Sequence, residues 1–415
     1  MLLRFLKIFP NSFFAYLAVI GLFVGLVTSK VVLSVATITL LCNALINIDI
    51  RKNFTTWLKS PTSMLFFSVL VFYLLSGFHS ENLDYWMDRC RIKLPFLALP
   101  LGFVTLPALT KRRLYLLLAS YVFIIFIAAD IVAVHYFFNF KEFNANINLG
   151  KAIPTPQNDH IRFSIEIAFA CILAFHLFIE RFIVKYPIER WIFFIIGIVL
   201  LIVLHILAVR SGLLAFYTVT VFVFIKRMID KKQFIKGFAI IFCITAMAFS
   251  SVQFIPSLNN RISYFFYEWK LIREGNLKPG HSDAQRIVST RYGIELGKEN
   301  FLLGIGVGDI KDAVTKKYQE DYGETRVTYM LPHNQFVFVF ACLGFLGFIS
   351  FVVTILYPFL IHKHYKEFLF IAFGIVLFVS LMTEHMLEIQ IGTAFYLTFL
   401  LLFMNFFENR SLHLK

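Results

Sequence analysis

The chain has 415 residues, of which 59% are hydrophobic and only 15% are charged, and its formal net charge is +14. Soluble globular domains carry about 25% charged residues, so this composition excludes an ordinary soluble protein. The basic residues are dispersed among short polar segments and form no stripe interleaved with exposed aromatic residues, which argues against a nucleic-acid partner. The sequence therefore predicts an all-α membrane protein.

Apolar runs in the sequence have the length of about 20 residues with which a helix crosses the hydrocarbon core of a bilayer. They predict about twelve transmembrane helices. The predicted spans are 12–29, 31–48, 62–79, 94–109, 114–136, 162–180, 191–208, 211–225, 237–256, 334–361, 367–383 and 389–407. One large polar segment separates the ninth span from the tenth, and we expect it to be mostly helical.

The orientation of the spans follows from the distribution of lysine and arginine, because short loops rich in these residues face the cytoplasm. The segments 111–113 and 226–236 are examples of such loops. This bias predicts that both termini are cytoplasmic and that the large loop faces outward. We therefore divide the chain into spans one to nine at 1–256, an outer loop at 257–333 and spans ten to twelve at 334–415.

Two helices are predicted inside the outer loop. Residues 260–273 repeat apolar side chains at helical spacing, which is typical of an amphipathic helix lying on a membrane or a bundle. A second helix should begin at Ser282, whose Ser-Asp-Ala-Gln run fits a capping box, and should end near Gly297. At about 100° per residue, Arg286 and Arg291 fall on different faces of that helix, so at most one of them should point into a given site.

Polar residues mark two borders between apolar runs and outer segments. Arg210 precedes a predicted helix whose first amides and positive dipole would attract an anion, although an arginine at this depth also commonly reaches lipid phosphate. His333-Asn334 stands where the outer loop returns to an apolar run. A histidine accepts a proton near neutral pH, and the alternative is an interfacial histidine bonded to the loop.

A resemblance to the O-antigen ligase and polymerase family runs from Arg286 to Gly308, RIVSTRYGIELGKENFLLGIGVG. Members of that family carry an Arg, a helical stretch and a pattern close to Asn-Pro-Leu-Leu-Gly-x-Gly before a His-Asn pair. In this chain Phe301 replaces the usual Pro, and His333-Asn334 matches the pair. Upstream, Val209-Arg210-Ser211-Gly212 resembles the family's Ser-Arg-Gly-Ala motif, so the resemblance covers the chain from about residue 200 onward.

The resemblance implies an integral-membrane glycosyltransferase of the bacterial inner membrane, with the outer loop in the periplasm. Its donor would be a glycan on undecaprenyl diphosphate, and its acceptor lipid A-core or another glycan. Such a donor already has a good leaving group, so catalysis needs cations for the diphosphate and a base for the acceptor hydroxyl. We expect Arg210 and Arg286 to supply the cations, His333 to be the base, and neither a cofactor nor a metal to take part.

Four further residues are candidates for substrate contact. We expect Asn334 to orient His333 or a sugar hydroxyl, and Arg291 to make a secondary contact. Gly304 and Gly306 lie in a Gly-x-Gly-x-Gly run that is preceded by no strand, so it is not a nucleotide-binding fingerprint. We expect it to form a flexible turn under the path of the sugar.

The acceptor is not defined by these motifs. A single large outer loop late in the chain favours O-antigen ligation to lipid A-core, and the alternatives are an O-antigen polymerase and a protein O-oligosaccharyltransferase. A lipid-linked oligosaccharide transporter is the competing class, but it would place several charges deep in its helices. Only Asp130 and Glu166 lie deep in predicted spans, where they either pair with Arg162 or a nearby histidine or contact substrate.

The last outer turn contains Glu384, His385 and Glu388. Two carboxylates and one imidazole are conceivable metal ligands, but their spacing fits no clear metal motif. We expect them to form a polar cap on a short turn.

Overall fold

The computed structural model describes residues 11–46, 49–232, 234–274, 282–323 and 330–412. Every regular element in these residues is helical, and no strand occurs among them, so the predicted all-α class is confirmed. Both chain ends, whose cytoplasmic side was predicted, lie outside the described residues, as do the loop segments 275–281 and 324–329.

Eighteen α-helices follow one another in the described residues. They are α1 Asn11–Thr28, α2 Lys30–Leu45, α3 Ile50–Lys59, α4 Pro61–Leu75, α5 Leu83–Lys93, α6 Pro95–Phe103, α7 Lys111–Phe138, α8 Phe140–Asn148, α9 His160–Ile179, α10 Glu189–Leu207, α11 Arg210–Lys231, α12 Phe234–Phe254, α13 Pro256–Arg273, α14 Ser282–Glu299, α15 Ile310–Tyr322, α16 Gln335–Leu360, α17 Phe368–Thr383 and α18 Gln390–Leu412. Short 3₁₀ turns follow α4 at Ser76–His79 and precede α18 at Met386–Glu388.

Seven of the described helical segments are long and apolar enough to cross a membrane, or up to eight if α2 and α3, which meet at a 110° bend, form one broken span. Two shorter apolar helices, Ser12–Thr28 and Phe368–Thr383, match the predicted first and eleventh spans. The count of twelve therefore stays a prediction.

The predicted fourth span, 94–109, does not form as one helix. Helix α6 covers only nine residues, or about 14 Å at the rise of an α-helix, against a hydrocarbon core of about 30 Å. Pro95 opens the helix and Pro100 lies inside it, where it lacks the amide hydrogen that a continuous helix needs. The chain then turns at residues 104–106, so hydropathy overestimated the length of this element.

The chain divides into two compact units that interleave along the sequence. Unit 1 contains residues 1–117, 278–371 and 381–415, and unit 2 contains residues 118–277 and 372–380. Within unit 1, α16 packs against both α4 and α14; within unit 2, α9 packs against α10 and α11. The predicted division into two membrane segments and an outer loop stays a prediction.

The segment predicted to be the outer loop contains three helices in its described part. Helices α13 and α14 confirm the two predicted loop helices, and α14 begins at Ser282 as its capping box indicated. Helix α15 was not predicted, because its sequence is mostly polar and gives no strong apolar stripe. Its start is tied to unit 1 by Asp309, whose carboxylate accepts hydrogen bonds of 2.9–3.1 Å from the amides of Glu81 and Asn82.

Helix α16 is broken at Gly344, whose φ of 61° is not helical. The segment before α15 fills the break: the amides of Ile305 and Gly306 donate to the carbonyls of Ala341 and Cys342, both at 3.0 Å. These bonds satisfy backbone groups that the break leaves without helical partners. Gly304 has a φ of 74°, and a Cβ there would lie only 2.4 Å from the Cys342 carbonyl oxygen, so the close approach requires glycine.

Candidate active site

His333 lies just before Asn334, the N-cap residue of α16 in unit 1, and a hydrogen bond to the backbone orients its imidazole. Its Nδ1 is 2.8 Å from the Leu331 carbonyl oxygen. Because a carbonyl oxygen only accepts, the neutral ring carries its proton on Nδ1, and Nε2 keeps a lone pair. Nε2 faces Glu384, with 3.7 Å between it and carboxylate oxygen Oε2. The ring is therefore oriented to accept a proton at Nε2.

Asn334 caps α16. Its side-chain oxygen accepts hydrogen bonds from the amides of Phe336 and Val337, and its Nδ2 donates to the Met382 carbonyl at 3.2 Å. The two bonds to the backbone amides are the usual contacts of an N-cap residue, and asparagine is favoured at that position. The bond to Met382 also ties the start of α16 to the chain just before Glu384, which orients His333 indirectly. Contact with a sugar hydroxyl stays a prediction.

Arg286 reaches the same place from α14. Its guanidinium Nη2 lies 3.0 Å from Oε1 of Glu384, and its side chain is 34% exposed. Its Nε is buried without a hydrogen-bond acceptor among the residues that the structure describes. Helix α14 approaches α16 closely because Gly297 has no side chain; a Cβ there would lie 2.4 Å from the Phe340 ring. Because one third of the side chain is exposed, part of the guanidinium can still reach a further anion.

Glu384 joins the two predicted catalytic residues. Its side chain is only 2% exposed, with Oε1 toward Arg286 and Oε2 toward His333. We expected this residue to be part of a polar cap on a short turn; its carboxylate is buried there between Arg286 and His333, and its role stays a prediction. A signal was present in the sequence: two glutamates in an apolar turn are costly to bury unless each has a partner.

His385 completes the cluster. Its ring centroid lies 5.1 Å from that of His333 and its ring stacks on Phe338. One ligand atom each from His333, Glu384 and His385 lies within 4.8 Å of the others, so these residues could hold a metal ion. Two histidines and a glutamate are a known catalytic zinc set. However, Arg286 lies 3.0 Å from the same carboxylate and would repel a divalent cation. Metal independence stays a prediction.

Glu388 belongs to a different cluster from Glu384, although only one turn separates them. Its Oε1 accepts hydrogen bonds from the Tyr73 hydroxyl at 2.6 Å, Lys93 Nζ at 2.7 Å and Gln335 Nε2 at 2.8 Å. All of these side chains are buried. Burial lowers the pKa of Lys93, and the adjacent Glu388 carboxylate opposes that shift. In the described chain, Glu384, His385 and Glu388 therefore do not form one metal-ligand set.

Arg291 points away from Arg286, as helical spacing predicted. Its guanidinium pairs with Glu295 on the same helix at 3.0 Å and with Asp321 on α15 at 3.1 Å. Its side chain is 61% exposed, so these pairs contribute little stability. The predicted contact of Arg291 with substrate stays a prediction.

Gly304 and Gly306 have packing roles in the described structure. Gly304 contacts the break in α16, and a Cβ on Gly306 would lie 2.4 Å from the Ser80 hydroxyl oxygen. Both φ angles are positive, at 74° and 89°. The glycine pattern is therefore explained by close backbone packing, and the predicted turn under the sugar path stays a prediction.

Arg210 lies in unit 2, at the first residue of α11, so its predicted place at a helix N-terminus is confirmed. Its guanidinium stands 4.5 Å from the centroid of the Phe265 ring on α13. We predicted that Arg210 acts on the same substrate as His333 and Arg286, and this stays a prediction.

The two deep carboxylates also belong to unit 2. Arg162 pairs with Asp159 at 3.3 Å, which is a local contact at the start of α9. Glu166, one turn further along that helix, is 1% exposed, and Asp130 lies on α7. No ion pair of Arg162 with Glu166 or Asp130 occurs in the described part of the chain. A substrate role for the two carboxylates stays open.

Comparison with known proteins covers part of the chain. Residues 198–352 match a family model described as O-antigen ligase, a segment that includes Arg210, Arg286 and His333. Glu384 and Lys93 lie outside the matched segment. No curated protein matches the sequence.

Proposed function

We propose that this chain, which carries a domain of the O-antigen ligase family, transfers a whole glycan from undecaprenyl diphosphate to an acceptor hydroxyl at the periplasmic face of a bacterial inner membrane. One observation carries the proposal. A buried carboxylate, Glu384, lies 3.0 Å from the guanidinium of Arg286 and 3.7 Å from Nε2 of His333. A cation for a leaving group and a base for a nucleophile therefore meet at one point.

Arg286 supports the donor side of the reaction. As the bond between the anomeric carbon and the diphosphate breaks, the electron pair stays on the phosphate oxygen and negative charge develops there. A planar guanidinium stabilises such charge with paired, charge-assisted hydrogen bonds. The Arg286 side chain is 34% exposed while its Nη2 lies 3.0 Å from Glu384, so the guanidinium can bind an anion while it remains paired. Arg210 would supply the second cation.

His333 supports the acceptor side. The acceptor hydroxyl donates its proton to Nε2, and its oxygen forms the new bond to the anomeric carbon. The neutral ring is poised for this step, because Nδ1 already donates to the Leu331 carbonyl. The proton that Nε2 gains produces an imidazolium, which Glu384 stabilises through its carboxylate. The chemistry balances with no metal and no cofactor.

The specific acceptor is proposed to be lipid A-core, which makes the chain an O-antigen ligase. A polymerase would use another lipid-linked repeat, and a protein O-oligosaccharyltransferase would use Ser or Thr. Lipopolysaccharide banding in a deletion strain separates the first two. Loss of all long chains with accumulation of lipid-linked polymer indicates a ligase, whereas core bearing a single repeat indicates a polymerase.

A lipid-linked oligosaccharide transporter is the candidate of another class. The arrangement of Arg286, Glu384 and His333 favours group transfer, because transport requires no base beside the cation that binds the diphosphate. Purified protein in detergent provides the test, since no gradient exists there. Transfer of glycan from a lipid diphosphate donor to a hydroxyl acceptor is the expected result, and a complete lack of transfer to all three acceptor classes would contradict it.

The periplasmic placement of the site is tested separately. Reporter fusions after Lys231, at the end of α11, and after Lys311, in α15, should report cytoplasm and periplasm respectively. The positive-inside bias of the short loops is the reason for this expectation. The reverse result at either position would contradict the proposed orientation.

A further inference from the structure

The turn that carries Glu384 and His385 is held from one side by a buried polar network. Glu388, at the end of that turn, accepts hydrogen bonds from Tyr73 on α4, Lys93 on α5 and Gln335 on α16. Lys93 and Glu388 are an ion pair at 2.7 Å whose side chains are 1% and 0% exposed. One carboxylate therefore joins three helices of unit 1.

Two of these residues also hold the backbone of the turn. Lys93 donates a second hydrogen bond to the Leu387 carbonyl, and Gln335 accepts one from the Leu387 amide at 2.8 Å. The Arg89 guanidinium donates to the Glu388 carbonyl at 3.2 Å. The backbone N–H and C=O of Leu387 are thus both bonded by side chains from distant parts of the chain.

Gln335 connects this network to the proposed base. It is the first residue of α16, and only Asn334 separates it from His333. Its amide contacts both Glu388 and Leu387, so the start of α16 and the turn at 384–388 cannot shift independently. The 3.7 Å separation of His333 and Glu384 depends on the same two segments.

Buried ion pairs are costly to form, and apolar residues of similar size often stabilise a protein as well or better. Stability alone therefore does not explain why a buried ion pair occupies this place. We propose that Glu388, Lys93 and Gln335 are positioning residues that set the geometry between Glu384 and His333. This inference rests on the proposed function, because it assigns the network to the same reaction, and none of the three residues touches the substrate.

The first test replaces the ion pair as a unit. Lys93→Met or Glu388→Met alone leaves a buried charge without its partner, so each should reduce the amount of folded protein. The double variant removes both charges and should melt near the wild-type temperature. If the network positions the site, the double variant should still lose about 100-fold in kcat, as small displacements of catalytic groups do, with an unchanged donor KM.

A second variant avoids any dependence on the ion pair. Gln335→Met leaves Lys93 and Tyr73 bonded to Glu388 but removes the two hydrogen bonds that Gln335 makes with the turn. It should fold and show the same fall in kcat. Asp88→Asn is the matched control: Asp88 lies on α5 with Lys93, its side chain is 61% exposed, and in the described chain its carboxylate pairs with Arg91 at the surface.

A readout without substrate completes the experiment. Diethyl pyrocarbonate modifies accessible histidines, and mass spectrometry gives the rates at His333 and His385. Both rates should rise in Gln335→Met and in the double variant, and stay at the wild-type value in Asp88→Asn. This readout separates the two proposals: a wild-type protein without transfer would contradict the proposed function, while the histidine rates would still decide the positioning. Wild-type kcat and wild-type histidine rates in both variants would overturn the inference.

Discussion

The carboxylates of Glu384 and Glu388 lie one turn apart and are equally buried, yet their surroundings differ. Glu384 faces a partly exposed arginine at 3.0 Å and a histidine at 3.7 Å. Glu388 is enclosed by Lys93 and two neutral donors, each within 2.8 Å. The first set is open to the surface, since the Arg286 side chain is 34% exposed. The second is closed: three donors bind one oxygen of Glu388, and its Oε2 is buried without a donor among the described residues.

Under the proposed function, this difference separates a group in contact with the reacting residues from a supporting one. A group that takes part in chemistry needs partners that can also bind substrate, so its contacts cannot all be saturated within the protein. A supporting group is most effective when its partners are short, numerous and drawn from different helices. Substitutions in the two clusters should therefore divide into losses of rate and losses of folded protein.

His333→Ala should have the largest effect on rate. Loss of a general base typically costs 100- to 10,000-fold, and the folded protein should persist because His333 lies outside the helices, just before the N-cap residue of α16. Transfer by purified protein measures the rate, and a thermal melt measures stability. The control is His79→Ala, an exposed histidine in the 3₁₀ turn after α4. His364 is unsuitable, because its ring is buried against Phe370. Wild-type transfer by the His333 variant would remove the proposed base.

Arg286→Ala and Arg210→Ala should each lower the rate about 100-fold or more, because a contact that strengthens in the transition state is lost. Arg→Lys should restore little at either position, since an ammonium lacks the planar fork. Lys298→Ala, an exposed cation on the same helix as Arg286, is the control. Full activity in Arg210→Ala would mean that unit 2 does not contribute this charge to catalysis.

Glu384→Gln tests the difference between the Glu384 and Glu388 clusters most directly. The amide keeps the shape but loses the charge that faces Arg286 and His333, so kcat/KM should fall roughly 10- to 100-fold. The melting temperature should change less than in Glu388→Met, where Lys93 is left without its partner. Glu299→Gln, at an exposed pair with Lys317, is the matched control. A large loss of folded protein with normal specific activity would instead assign Glu384 to the scaffold.

Chelation should have the smallest effect. Treatment of purified protein with EDTA is expected to leave the transfer rate unchanged, because two arginines neutralise a diphosphate without a divalent ion. The ligand atoms of His333, Glu384 and His385 lie within 4.8 Å of one another, so the outcome is informative. Activity that disappears with EDTA and returns with one divalent metal would make these three residues ligands and would exclude His333 as the free base.

Local patterns in the sequence determined much of this protein. Apolar runs and the low share of charged residues identified a helical membrane protein, because length and composition alone decide whether a helix can enter a bilayer. The capping box at Ser282 and the different faces of Arg286 and Arg291 were also readable, since the helical repeat is a property of neighbouring residues. The border position of His333-Asn334 and the order of the motifs indicated the family, which the match over residues 198–352 supports.

The tertiary structure alone decided which acidic residue meets which partner. Glu384 and Glu388 are indistinguishable in the sequence, and neither spacing nor hydropathy indicates that one faces Arg286 while the other binds Lys93. These contacts join residues far apart in the chain, and their pairing depends on how α14, α5 and α16 pack against one another. The break at Gly344 and the short helix α6 were missed for a different reason. Hydropathy averages over a run of residues, whereas a positive φ or an internal proline acts at one residue.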